Sequence, residues 1–97
     1  MITQDLLHVI LLNIIVKGTV QGVFFRASTR LKALELGIKG YVENRADGSV
    51  YIEAEGTKTQ LEEFITWCSN GPEHAFVEEI IEQEAPLINY MDFIIRR

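Results

Sequence analysis

The pattern of hydrophobic and polar positions along this chain predicts strands and helices in a regular order. An apolar run from Leu6 to Val16 comes first, interrupted by His8 and Asn13 and followed by the turn signal Lys17-Gly18. The run is too short for a membrane span, which needs about 20 apolar residues. We therefore interpret it as a long buried β-strand that follows a flexible tail over residues 1–5.

The next segment has the 3.6-residue period of a helix. Between positions 25 and 36, the apolar residues Ala27, Leu31 and Leu34 share one face with the spacing i, i+4 and i+7. We expect that face to pack on the core. Gly37 follows where the C-cap of a helix belongs.

A hairpin and a second helix are predicted after this first helix. The segment 38–44 is strand-like, and Asp47-Gly48 is a pair typical of a tight hairpin turn. Apolar and polar residues then alternate over positions 50–55, which predicts a half-buried strand. Thr57 and Gln60 have the spacing of a capping box, which predicts the start of the second helix.

The second helix and two further strands complete the predicted order. The apolar face of the helix is expected to hold four residues, Leu61, Phe64, Ile65 and Cys68. Asn70-Gly71-Pro72 ends the helix, and strands follow over 75–83 and 90–96, with Pro86 between them.

The predicted order is β-α-β-β-α-β with a short C-terminal strand. Two β-α-β units joined by a hairpin are typical of the ferredoxin-like α/β sandwich, an α+β fold in which two helices cover one face of an antiparallel sheet. The sequence contains no linker or low-complexity stretch. We expect residues 1–97 to form a single domain.

The amino-acid composition argues against some classes of binding partner. Fourteen acidic and nine basic residues give a net charge of −5, which repels nucleic acid and anionic membranes. The first five residues include no basic residue, which argues against a secretory signal. A single cysteine fits a reducing compartment. We expect a cytoplasmic protein with neither a nucleic-acid partner nor a membrane partner.

The most informative segment joins the first strand to the first helix, from Val16 to Arg26. Gly18 and Gly22 free the backbone to adopt positive φ, so that several N–H groups can converge on one point. The helix N-terminus favours negative charge, and the Arg26 guanidinium can bind two oxygens of a phosphate. These features predict an anion site, with an ordinary turn and a surface arginine as the alternative.

The same segment resembles the signature of the acylphosphatase family. That signature is a small aliphatic residue, any residue, Gly, any residue, Val-Gln-Gly-Val, any residue, Phe or Met, and Arg, and the segment from Val16 to Arg26 satisfies every position. From average composition, such a match arises by chance on the order of once per billion starting positions.

Two further segments support the resemblance. Residues Gly40–Asn44, with Gly48, Val50 and Gly56, match a second family motif at all but one position. The segment 90–95 is similar to the closing strand of the family. The resemblance therefore extends from about residue 12 to the C-terminus.

The resemblance implies that the chain hydrolyses acyl phosphates to a carboxylate and inorganic phosphate, with no metal and no cofactor. By position, Arg26 binds the phosphoryl group and Asn44 orients the attacking water. The phosphate itself is implied to take the proton of that water. The backbone N–H groups implied to bind phosphate with Arg26 are those of Val20, Gln21, Gly22, Val23, Phe24 and Phe25. Positioning and electrostatics suit phosphoryl transfer, whose transition state is loose.

One position departs from the family pattern. Glu43 stands where the family prefers a basic or neutral residue, and its carboxylate would repel a dianionic substrate if it pointed into the site. Because neighbours on a strand point to opposite faces, we expect Glu43 and Asn44 to diverge, with Arg45 offsetting the charge further. The alternative function is a phosphate-binding regulatory module of the same fold with weak or no turnover.

Other candidate chemistry is weaker. Cys68 is expected to be buried and inert, and His8 and His74 have no metal-ligand spacing. Thr29 either hydrogen-bonds within the site or is an ordinary helix residue. An RNA-binding domain of this fold needs a basic sheet with exposed aromatic residues, whereas Tyr51 lies on an acidic strand.

The first strand raises a question about assembly. If Leu12 and its alternate neighbours face the helices, then Val9, Leu11 and Ile15 face the open side of the sheet, together with Tyr51. Such an apolar patch predicts cover by a second copy, as a homodimer, or by the N-terminal tail. The alternative is a moderately apolar face in contact with water.

Overall fold

The computed structural model describes residues 8–97, so residues 1–7, including the expected tail, lie outside the described residues. Five strands and two helices alternate along the chain. Their bounds are β1 Val9–Thr19, α1 Phe25–Leu36, β2 Lys39–Asn44, β3 Val50–Thr57, α2 Lys58–Asn70, β4 Phe76–Ala85 and β5 Phe93–Arg96.

The five strands form one sheet in the order β4-β1-β3-β2-β5. Four strands pair antiparallel, and β5 joins β2 in parallel, so the sheet is mixed. Alternate residues of the strands form one hydrophobic core with residues of both helices. Both helices therefore pack on the same face of the sheet. The ferredoxin-like α+β fold is confirmed, with the added parallel strand as the difference from a purely antiparallel sheet.

Strand β1 is longer at its C-terminal end than the sequence predicts. The expected turn at Lys17-Gly18 is wrong, because the strand continues to Thr19 through a shift in its pairing with β4 between these two residues. Gly18 makes this bulge possible: its φ is 132°, and a Cβ at this position would lie 2.1 Å from the carbonyl oxygen of Phe76. The strand thereby reaches the loop that precedes α1.

Helix α1 has the predicted bounds but buries a different face. Its buried residues are Phe25, Thr29 and Ala33, whereas Leu31 is 66% exposed and Leu34 is 45% exposed. The large Phe25 ring enters the core at the first turn, and the small side chains one and two turns later continue the same face. Apolar spacing alone therefore identified the helix but selected the wrong side of it.

Helix α2 agrees with its prediction in detail. The N–H of Gln60 donates to Thr57 Oγ1 at 3.2 Å, and the N–H of Thr57 donates to Gln60 Oε1 at 2.8 Å, which together form the capping box. Leu61, Phe64 and Cys68 are buried. Neither helix of residues 8–97 is long and apolar enough to cross a bilayer.

The open face of the sheet is crossed by the chain itself. Because β4 and β5 lie at opposite edges, residues 86–92 (the crossing segment) must traverse the sheet. Glu55, on the open face of β3, accepts hydrogen bonds of 2.6–2.8 Å from the N–H groups of residues 88–90. Leu11 beside it is only 1% exposed. The expected apolar patch is therefore reduced, and the homodimer through this face stays a prediction.

The tyrosines of the open face interact with charged side chains. The hydroxyl groups of Tyr51 and Tyr90 both donate to the carboxylate of Glu53. Burial and this carboxylate raise the pKa of both tyrosines. Arg45 lies over the Tyr51 ring, 3.9 Å from its centroid.

Replacing Glu55 with alanine should destabilise the fold. The change leaves three N–H groups of the crossing segment without their acceptor, at an expected cost of about 2–4 kcal/mol in the free energy of unfolding. Urea denaturation followed by circular dichroism measures this cost. The exposed Glu63 on α2 provides the control, because Glu63→Ala should change the unfolding free energy by less than about 0.5 kcal/mol. Equal stability of the two variants would contradict the role of Glu55.

Candidate functional site

A cleft of about 480 Å³ lies where the loop before α1 meets the end of β2. The loop, the first turn of α1, β2 and the chain from β5 onward all contribute to it. Its lining residues are Val20, Gly22, Phe24, Phe25, Arg26, Ala27, Asn44, Ile95 and Arg97. The structure thus brings the two residues with expected catalytic roles, Arg26 and Asn44, into one cavity.

The backbone of the loop has the geometry of an anion nest. Gly22 has φ 74° and Phe24 has φ 62°, whereas Val23 between them has negative φ. Alternation of this kind turns successive N–H groups toward the same side. Within the described part of the chain, the N–H groups of residues 21–27 have no backbone or side-chain acceptor. They are available to a bound anion.

The start of α1 adds to this positive potential. Phe24 is the N-cap residue, and its side chain makes no capping hydrogen bond; the first turn contains no acidic residue. The first N–H groups of the helix are therefore unsatisfied, and the positive end of the helix dipole faces the cleft without a compensating carboxylate. A phosphate at this position would complete the cap.

Gln21 holds the loop against the β2–β3 hairpin. Its Nε2 donates to the carbonyl oxygens of Arg45 at 2.7 Å and of Ser49 at 2.8 Å. The side chains of Gln21 and Val23 do not line the cleft, unlike the other residues expected to bind phosphate. Gln21 therefore contributes its backbone to the nest, while its side chain fixes the position of the loop relative to β2.

Arg26 provides a guanidinium that no carboxylate of the described residues neutralises. It lies in the first turn of α1, partly exposed in the cleft. The ion pairs found within residues 8–97 are Lys32–Glu35 and Arg45–Glu43, and neither involves Arg26. A free guanidinium next to unpaired N–H groups is suited to binding the oxygens of a phosphate.

Asn44 provides an acceptor in the same cleft. It is the last residue of β2, and its Oδ1 is buried without a hydrogen-bond partner in the described structure. An unpaired buried acceptor costs about 1–3 kcal/mol, which a ligand or a water molecule with an O–H donor would recover. The amide group can also donate, so it can hold a water molecule in a defined orientation.

Glu43 points away from the cleft. Its carboxylate pairs with the guanidinium of Arg45 at 3.0 Å, and Glu43 does not line the cavity that Asn44 lines. The expectation that strand alternation separates these neighbours, with Arg45 offsetting the charge, is confirmed. The departure from the family pattern therefore places no negative charge in the site.

Sequence reasoning missed three residues of the cleft: Ala27, which was expected on the core face of α1, and Ile95 and Arg97. The last two reach it because β5 runs parallel to β2, with Ile95 opposite Val42. No local motif marks these positions, since their place depends on the sheet order. Thr29 is completely buried, and its hydroxyl oxygen has no partner among the described residues, which decides neither of its two expected roles.

The candidates that the sequence disfavoured lie outside the cleft. Burial raises the pKa of the Cys68 thiol to about 12, so the thiolate is scarce at neutral pH. His8 lines a separate groove beside α2, and His74 is exposed in the turn before β4. Over residues 8–97, no three His, Cys, Asp or Glu side chains come together as potential metal ligands.

Comparisons with known proteins agree with the resemblance found in the sequence. The family model described as acylphosphatase matches residues 12–95. The acylphosphatase of Pasteurella multocida is 51% identical over 83 residues, which are 84% of this chain and 92% of that protein. The acylphosphatase of Marinobacter nauticus is 51% identical over 74 residues, 76% of this chain and 80% of the relative.

Solved structures show the same similarity. The structure of an acylphosphatase from Coxiella burnetii matches with a TM-score of 0.90 at 36% identity and covers 98% of this chain and 100% of its own. The chain is thus similar to proteins of this name in both sequence and structure over most of its length.

Proposed function

This chain belongs to the acylphosphatase family and hydrolyses acyl phosphates, and we propose that it does so in the cleft between the loop and β2. One observation supports this location above others. Among the residues that the structure describes, neither the guanidinium of Arg26 nor the N–H groups of residues 21–27 have a partner, and they share a cavity with the unpaired Oδ1 of Asn44. An anion site thus adjoins a site that can hold water.

In this proposal the phosphoryl group of the substrate binds to the nest and to Arg26. The N–H groups and the helix dipole supply partial positive charge, and the guanidinium supplies a full charge with two parallel donors. Together they outweigh the net charge of −5 at close range. Charge that develops on the phosphoryl oxygens in the transition state is stabilised by the same donors.

Asn44 holds the nucleophile. A water molecule bound to the amide attacks phosphorus, the bond from phosphorus to the acyl oxygen breaks, and the carboxylate leaves with that electron pair. Among the described residues, the lining of the cleft includes no Asp, Glu, His, Cys or Lys, so we assign one proton of the water to a phosphoryl oxygen. The products are the carboxylate and dihydrogen phosphate, which carries one hydrogen on the attacking oxygen and one on the phosphoryl oxygen, so a dianionic substrate gives two monoanions.

The substrate is a small molecule. We propose that the protein hydrolyses it in the cytoplasm and that the protein binds no nucleic acid. The net charge of −5 supports this choice. The open sheet face supports it as well, because RNA-binding domains of this fold stack bases on exposed aromatic residues. Here Tyr51 and Tyr90 donate to Glu53, which places a carboxylate where a phosphate backbone would pass.

Replacing Arg26 should abolish binding and turnover together. Because the charge contacts the phosphoryl group in both the ground state and the transition state, Arg26→Ala should lower kcat/KM for acetyl phosphate by about 10³ or more. It should also weaken inorganic phosphate binding, measured by calorimetry. Arg26→Lys keeps the charge but loses the planar fork, and an intermediate loss is expected. Wild-type kinetics in Arg26→Ala would place the site elsewhere.

Replacing Asn44 should affect the rate more than binding. Asn44→Ala removes the group that orients water, so kcat for acetyl phosphate should fall by about 10²–10³. The Kd for inorganic phosphate should stay within about twofold. Asn70→Ala, at the exposed end of α2, is the matched control and should leave both quantities unchanged. A parallel loss of phosphate binding in Asn44→Ala would contradict the division of roles.

Turnover should be insensitive to chelation. The positive charge of the site comes from Arg26 and backbone dipoles, so dialysis against EDTA should leave kcat/KM for acetyl phosphate within about twofold of its untreated value. A wild-type protein that binds phosphate but hydrolyses no acyl phosphate, with or without added Mg²⁺, would favour the regulatory-module alternative.

A further inference from the structure

The cleft contains apolar surface that the phosphoryl group does not require. Besides Arg26 and Asn44, its lining includes the apolar residues Phe24, Ala27 and Ile95. Resting on the proposed function, we propose that these three side chains form the subsite for the acyl group. The Phe24 ring makes this subsite select aromatic and other extended apolar acyl groups over acetyl.

Phe24 is the most unusual residue of the cleft. Its side chain is 78% exposed, and its backbone is left-handed, with φ 62° and ψ 24°. For an L-residue this conformation costs about 1–2 kcal/mol. The left-handed turn serves the nest, as Gly22 does two residues earlier, but a glycine would serve it without strain. Neither the nest nor the core therefore accounts for a phenyl ring at this position.

The position of the ring does suggest a use. The N–H of Phe24 belongs to the nest that faces the phosphoryl group, and the ring is attached to the same Cα. A substrate whose phosphoryl group contacts this N–H therefore places its acyl carbon, two bonds from phosphorus, within reach of the ring. Strained backbone held at a ligand site is a common feature of pre-organised binding.

Two other apolar residues line the same cleft. Ile95 is partly buried and packs against the core, and Ala27 lies in the first turn of α1. An apolar acyl group between these residues and the Phe24 ring would remove apolar surface from water on both sides. An aromatic acyl group would also gain from offset or edge-to-face contact with the ring. Acetyl offers only one methyl group for such contacts.

The test compares benzoyl phosphate with acetyl phosphate. Both substrates use the same phosphate site, so a substitution that affects only this site changes both kcat/KM values equally and cancels in their ratio. The measured quantity is kcat/KM for benzoyl phosphate divided by kcat/KM for acetyl phosphate. Phe24→Gly should lower this ratio about tenfold, which corresponds to 1.4 kcal/mol. Phe24→Leu, which keeps apolar volume without the ring, should lower it about threefold. Leu31→Ala, an exposed apolar residue of α1 outside the cleft, should leave it unchanged.

Phe24→Gly is suited to this test because glycine tolerates the left-handed backbone and the ring is exposed, so the variant should unfold within a few degrees of the wild-type Tm. A ratio that stays within twofold of wild type in Phe24→Gly would overturn the proposal. An equal loss for both substrates would overturn it as well, because the ring would then serve only the phosphate loop.

A binding measurement separates this proposal from the proposed function. Benzylphosphonate and methylphosphonate are not hydrolysed, and calorimetry should show that wild type binds benzylphosphonate more tightly. That preference should shrink about tenfold in Phe24→Gly. If wild type hydrolyses neither acyl phosphate yet shows this Phe24-dependent preference, the proposed function fails and the subsite is supported. If hydrolysis is found but the phosphonates bind equally well, the subsite is refuted.

Discussion

The left-handed turn at Phe24 is the constraint on which the rest of the site depends. It follows the positive φ of Gly22 and leaves α1 without a side-chain cap, so the N–H groups of residues 21–27 have no acceptor in the described part of the chain. Arg26 lies in the first turn of α1 and lines the same cleft. A single local geometry thus accounts for the proposed anion site, and the contacts at both ends of the loop offset its cost.

The sheet fixes those ends and supplies the second half of the cleft. Gly18 lets β1 continue through a bulge up to the loop, and the Gln21 side chain ties the loop to the hairpin beyond β2. On the other side, the Glu55 carboxylate anchors the crossing segment that leads into β5. Arg30 of α1 donates to the Phe93 carbonyl at 3.1 Å and ties the helix to that strand.

Sequence patterns predicted the structure correctly where the conformation depends on residues within one helical turn. Gly37 as the C-cap of α1, the capping box at Thr57 and the burial of Cys68 follow from short-range geometry and from one helical period. The buried face of α1 did not follow, because Leu31 is as apolar as a core residue but points away from it. The side of α1 that packs on the core depends on how the preceding loop orients the first residue of the helix.

The sequence by itself determined the fold class and the candidate anion site at the loop and Arg26, because short-range patterns limit what the backbone can do. Asn44 became a candidate through the resemblance of its motif to the acylphosphatase family. Only the tertiary structure decided that Arg26 has no carboxylate partner within residues 8–97, that Glu43 turns away from the cleft, and that Ile95 and Phe24 line the same cavity. These facts depend on sheet order and on which surfaces meet. Residues distant in sequence carry no local pattern that reveals such contacts.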